Sequence, residues 1–269
     1  MADQTEDITI KDSFETDLPE IEGGSEYRTA STGGQTTREA TPPAAYIPMD
    51  RTTWTQRASN YLAAYANHSL MRSRFPNKAE AFDELRNEAE VHKAADRFVF
   101  IPLERAINCH YPISAHCEVK DGGIRTDVHY QHRGHETCVM ILELKRRGNI
   151  DVDEFQDACA KSSSENDISD AMGRAELKRT KTLLIANAKI FSKQAGAYSQ
   201  TKQCQNYVLF DWDTMIFLRF PKSTDKGYES PFCAEACILD KTQSRYFRKT
   251  LLGFLIEACQ AAGIPKRTS

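Results

Sequence analysis

No stretch of the 269 residues forms an uncharged apolar run of bilayer length, which speaks against a membrane-spanning helix. The N-terminus is acidic and lacks a basic-then-apolar stretch, so a classical secretory signal is not expected either. Large apolar side chains are scarce over the first 45 or so residues, which are rich in Thr, Ser, Gly, Glu and Pro. Such a stretch buries too little to offset its ordering entropy, so residues 1–48 are expected to be a disordered acidic tail. No internal repeat is present. The eight cysteines lack the spacing of a zinc finger or an iron–sulfur cluster, whether at Cys109-His110 and His116-Cys117 or at Cys233, Cys237 and Cys259. They read as reduced thiols packed as small hydrophobes. The expected setting is intracellular, nuclear or cytoplasmic, without a membrane partner.

What is present is a chain with 40% hydrophobic residues and 13 phenylalanines, enough for one large core over residues 49–269. Charge is uneven. Residues 1–50 carry 3 Lys/Arg against 11 Asp/Glu, and the remainder carries 32 against 27. A modestly basic body behind an acidic tail suits a phosphate-rich partner, and equally an ordinary soluble domain.

Apolar spacing predicts helices over 54–75, from 78 to about 96, and over 102–109. A hairpin follows, 115–120 with 124–131, turning at Asp121-Gly122-Gly123. The clearest strand is 137–145, TCVMILELK. A short helix over 152–161 and a polar loop over 162–169 come next. One long helix is expected over about 171–204, then strands 207–211 and 215–220, and a closing helix over 243–262. Helices, a strand cluster, a long helix and further strands indicate an α/β domain with a central mixed sheet flanked by helices.

The chemistry gathers at the end of the 137–145 strand. Side chains alternate with period two, so Glu143 and Lys145 point to the same face, with Met140, Leu142 and Leu144 on the other. Asp127 lies on the preceding strand, and antiparallel pairing could bring it beside Glu143. Two converging carboxylates bind a hard divalent cation through oxygen. Such a cation polarises a phosphodiester and acidifies a bound water. Lys145 would orient that water or stabilise charge on the phosphate. On the long helix Gln194 and Tyr198 stand at i and i+4 and share a face.

These residues resemble the PD-(D/E)xK nuclease superfamily, with Asp127 as its acidic residue, Glu143-x-Lys145 as its (D/E)xK, and Thr126 standing where the name has proline. Gln194-Ala195-Gly196-Ala197-Tyr198 resembles the QxxxY signature of its RecB-type branch. The resemblance spans about residues 80–220, and it extends loosely to uncharacterised fungal proteins with a restriction-endonuclease-like core. It implies that core here and a Mg²⁺-dependent nuclease, with Mn²⁺ able to substitute and DNA foremost as substrate. Asp127 and Glu143 would hold the metal with a glutamate from an N-terminal helix, Glu88 or in reserve Glu84. Lys145, Gln194 and Tyr198 would be catalytic, and Arg146, Arg147, Lys189 and Lys193 would hold nucleic acid. Lys178, Arg179 and Lys181 extend the positive charge along the helix. The alternative is an inactive nucleic-acid- or protein-binding module on the same fold, in one version part of a toxin-like or selfish element. Asp211 and Asp213 read as turn residues, and His129, His132 and His135 as strand or loop histidines.

Overall fold

The computed structural model describes residues 7–23, 26–30, 38–76, 84–121, 124–134, 137–223, 228–229 and 231–267. In chain order its strands are β1 (Asp7–Thr9), β2 (Ala45–Pro48), β3 (Arg74–Pro76), β4 (Ile113–Asp121), β5 (Ile124–His132), β6 (Cys138–Leu144), β7 (Asn206–Phe210), β8 (Met215–Arg219) and β9 (Cys233–Leu239). Its helices are α1 (Ile10–Ser13), α2 (Thr52–Ala64), α3 (Ser69–Arg72), α4 (Glu88–Ala95), α5 (Ile101–Ile107), α6 (Val152–Gln156), α7 (Glu165–Glu176), α8 (Ala186–Thr201) and α9 (Phe247–Ala261). A π-helical turn, Asp96–Phe100, joins α4 to α5.

Seven strands form one mixed sheet in the order β2-β9-β8-β7-β6-β5-β4, with β1 and β3 paired apart. β6 and β7 run parallel, as do β2 and β9. The other neighbours are antiparallel. A parallel neighbour needs a crossover, and α6, α7 and α8 supply it between β6 and β7. Period-two alternation divides the two faces. Met140, Leu142, Leu144, Val208, Phe210 and Phe217 join a core with α2, α5 and α9, while Ile141, Tyr207, Leu209, Ile216 and Leu218 join a second core beneath α8. The chain is thus α/β, with helices on both sides of a large mixed sheet. Among the described residues no helix is long and apolar enough to cross a membrane.

Three expectations are corrected. The first 48 residues are not a disordered tail where they are described. Ile10, Phe14, Leu18 and Ile21 recur at helix-like spacing and enter the main core, and β2 is an edge strand of the main sheet. The averaged composition hid this apolar stripe. The guanidinium of buried Arg248 donates to the Phe98 carbonyl at 3.0 Å, and to the carbonyls of Thr16 at 2.9 Å and Asp17 at 3.0 Å, bolting the segment to α9.

The single helix over 171–204 is two. α7 begins earlier, capped by Ser164, so it takes in part of the expected polar loop. Between α7 and α8 the chain turns Leu183 and Leu184 inward, with left-handed backbone at Lys181 (φ 54°) and Ala186 (φ 38°). Lys178, Arg179 and Lys181 therefore sit on a connector instead of a helix face. The helix over 54–75 ends at Ala64, and α3 and β3 follow. Residues 78–83 of the next expected helix, and the turn at Gly122-Gly123, lie outside the described residues.

α9 and α2 cross at unusually short range. A Cβ on Gly253 would stand 2.0 Å from the Trp54 carbonyl oxygen, so only glycine permits the approach. The Trp54 ring lies edge-on to Phe254 at 4.8 Å.

Candidate active site

β6 carries an apolar run into the sheet and turns charged at its C-terminal end. Glu143 faces α8, 4% exposed, and Lys145 follows just past the strand, 7% exposed. The Lys145 backbone stays in register by donating to the Phe210 carbonyl at 2.8 Å. Lys145 Nζ donates to Glu143 Oε1 at 2.9 Å and to Gln194 Oε1 at 3.1 Å. Gln194 Nε2 donates in turn to Glu143 Oε1 at 2.7 Å and to the Tyr198 hydroxyl at 2.9 Å. The strand end and the helix face are thereby joined in one network, Tyr198–Gln194–Glu143–Lys145. Phe191, one turn before Gln194, places its ring centroid 5.1 Å from Lys145 Nζ, within cation–π range.

Asp127 stands on β5, one step beyond the Val128–Leu142 pair and so opposite Glu143. Its Oδ2 accepts from the Leu144 amide at 2.7 Å, taking the place of a strand carbonyl. Glu88 is the first residue of α4, set there by a capping box in which Asn87 accepts from the Glu90 amide at 3.0 Å. Its charge is felt by both Glu143 and Lys145. Glu84 is ion-paired with Arg86.

Electrostatics follow from the burial. Desolvation pushes the Glu143 carboxyl up to about 7, against the opposing pull of Lys145. Burial would by itself lower the Lys145 ammonium, yet Glu143 and Glu88 more than offset it and hold it raised. Burial and then Glu143 raise Tyr198. Lys145 is consequently a fixed positive charge.

The donor set fits a hard cation. Asp127, Glu143 and Glu88 offer carboxylate oxygens, and Glu143 Oε2 is buried without a hydrogen-bond partner among the described residues. No group of three or more His, Cys, Asp or Glu is gathered tightly enough for a ready-made metal cluster among the described residues.

The chain matches no family model, curated protein or solved structure.

Three of the expected nucleic-acid contacts are otherwise engaged. Arg147 is buried, with Nε and Nη2 gripping Asp213 at 2.7 and 3.0 Å and Nη1 reaching the Ile21 and Gly23 carbonyls. Lys193 Nζ donates to the Arg38 carbonyl. Arg146 Nε donates to the Arg86 carbonyl at 2.8 Å and is half-buried, and Lys189 is half-buried on α8. Asp213 is thus the partner of Arg147. Asp211 closes the β7–β8 turn, accepting from Thr214 and Ile150 amides, both at 2.9 Å. His129 and His132 are buried on β5, and His135 lies outside the described residues. All eight cysteines are free thiols, four of them buried.

Residue-type reasoning passed over Phe191, which reads as core at helical spacing, and Asn187. The amide of fully buried Asn187 donates to the Arg28 carbonyl at 2.8 Å and the Asn149 carbonyl at 2.9 Å, tying the N-terminal segment to the loop after β6. A buried polar residue seven positions before Gln194, on the same helix face, was the available signal.

Proposed function

We propose that the chain is a divalent-metal-dependent nuclease with a restriction-endonuclease-like core of the PD-(D/E)xK type, hydrolysing phosphodiester bonds in DNA. The reading rests on one observation above all: Glu143, Lys145 and Gln194 share a hydrogen-bonded network at the end of β6, beside Asp127. Asp127 and Glu143 would hold the cation, with Glu88 alongside. When bound, Mg²⁺ or Mn²⁺ supplies Lewis acidity and lowers the pKa of a coordinated water. Lys145, held protonated, stabilises negative charge developing on the phosphate oxygens and does not take up a proton. Gln194 orients Glu143 and Lys145 at once, through Nε2 and Oε1. Tyr198 fixes Gln194 from the next turn. The burial of Glu143 and Lys145 keeps bulk water from screening this charge pattern.

The test is cleavage of labelled single- and double-stranded DNA and RNA by the full chain with Mg²⁺ or Mn²⁺. Lys145→Met preserves the stem and removes the charge, and it should lower cleavage at least about a hundredfold, the scale of one lost charge-stabilising donor. Wild-type protein inert on every substrate, or Lys145→Met at full rate, would overturn the reading.

A non-catalytic module on the same fold is the second reading. The engagement of Arg147 with Asp213 and of Lys193 with Arg38 favours it, because cations with protein partners are not free for phosphates. It requires salt-dependent nucleic-acid binding without turnover.

A further inference from the structure

Tyr207 lies on β7, fully buried, and no step above uses it. The parallel register sets Tyr207 opposite Ile141 and Leu209 opposite Glu143. Tyr207 and Glu143 therefore occupy the same sheet face on adjacent strands, two positions apart, a diagonal that an aromatic side chain can span. The Tyr207 ring centroid is 6.4 Å from that of Tyr198, which places it under the helix face that carries Gln194. Its hydroxyl is buried and without a hydrogen-bond partner among the described residues, and so is Glu143 Oε2.

A buried polar atom left without a partner destabilises the fold, and here there are two. One is an O–H that can donate and the other an oxygen that can only accept. A small shift of the Tyr207 side chain that carries its O–H onto that oxygen resolves both. We propose that Tyr207 is a positioning residue of this site, its O–H donating to Glu143 Oε2 while Lys145 and Gln194 hold Oε1. Both carboxylate oxygens are then fixed, and the remaining lone pair of Oε2 is left for a cation. The bond itself stands on the geometry of β6 and β7; its meaning for metal binding rests on the nuclease reading.

Tyr207→Phe removes the hydroxyl and keeps the ring. The Raman spectrum of wild type minus that of Tyr207→Phe, taken metal-free, isolates the tyrosine Fermi doublet of this residue. The doublet of a strong hydrogen-bond donor is expected, weakening in a Glu143→Gln background. A doublet of a non-donor, or one indifferent to Glu143→Gln, overturns the bond. In a second measurement, calorimetric Mn²⁺ titration of the full chain should show Tyr207→Phe weaker by about tenfold or more, as for other partners that orient a metal ligand. An unchanged Mn²⁺ affinity in a variant with wild-type circular dichroism overturns the positioning role. If wild type neither binds Mn²⁺ nor cleaves, the nuclease reading and the metal-positioning role fall together, while the metal-free Raman doublet still decides the bond.

Discussion

Asp211 shows how a carboxylate can serve structure at some electrostatic expense. Its two oxygens accept backbone amides from Thr214 and Ile150, and the residue after it, Trp212, is held at φ 84°, a costly region for a bulky side chain. Burial pushes the Asp211 carboxyl up to about 7 despite those bonds. An acid raised above its unfolded value of about 3.9 keeps its proton longer in the folded state, so stability falls as pH rises between about 4 and 7. Asp211→Asn abolishes this ionisation. The stability gap between wild type and Asp211→Asn should therefore shrink as pH climbs from about 4 to about 8. Paired thermal melts across that range measure it, and Glu143, common to both proteins, cancels. A gap that does not move with pH would sink the idea. At this scale Gln194 and Tyr198 were legible, because i and i+4 on a helix must share a face. The engagements of Arg147 and Lys193 were not, since a sequence displays a charge without displaying the carbonyl that will meet it.

Among elements, the closest contact is between α2 and α9. Any side chain at Gly253 drives into the Trp54 backbone, which has no rotamer to yield. Gly253→Ala, neutral or favourable in an isolated helix, should here destabilise by about 3 kcal/mol through overpacking. Chemical denaturation reads this directly, and a loss under about 0.5 kcal/mol would mean that the helices part at little cost. The sheet's centre was legible in outline. Strands β4 to β8 announce themselves by alternation and turn residues, and the long span between β6 and β7 implies a crossover. The outer strands β2 and β9 were not. β2 is four residues long in a Pro-rich stretch, and β9 carries Cys, Ala and Glu in place of the β-branched residues that mark a strand. The break between α7 and α8 escaped for a related reason. Most of its residues are good helix formers, and the interruption comes with the burial of Leu183 and Leu184 against the sheet.

For the molecule as a whole, the N-terminal segment is part of the core. Burying a large apolar side chain contributes about 1.5–3 kcal/mol, and Ile10, Phe14, Leu18 and Ile21 are four of them, set against a typical total of about 5–15 kcal/mol. A chain beginning at residue 49 would lose these side chains, the β2 edge and the Thr16 and Asp17 partners of Arg248 together. It should show no cooperative melt and should elute as aggregate on gel filtration. A sharp transition at the full-length Tm would refute this.

The clamp between Thr16 and Arg248 also joins residues 232 positions apart. On a ribosome adding about 5–20 residues per second, Thr16 emerges roughly 10–50 s before its guanidinium partner exists. Until α5 is made, Ile10 and Phe14 lack the longest helix that packs on α1, and the nascent chain carries an uncapped apolar face suited to chaperone capture. For this protein, the most exposed moment falls during its own synthesis.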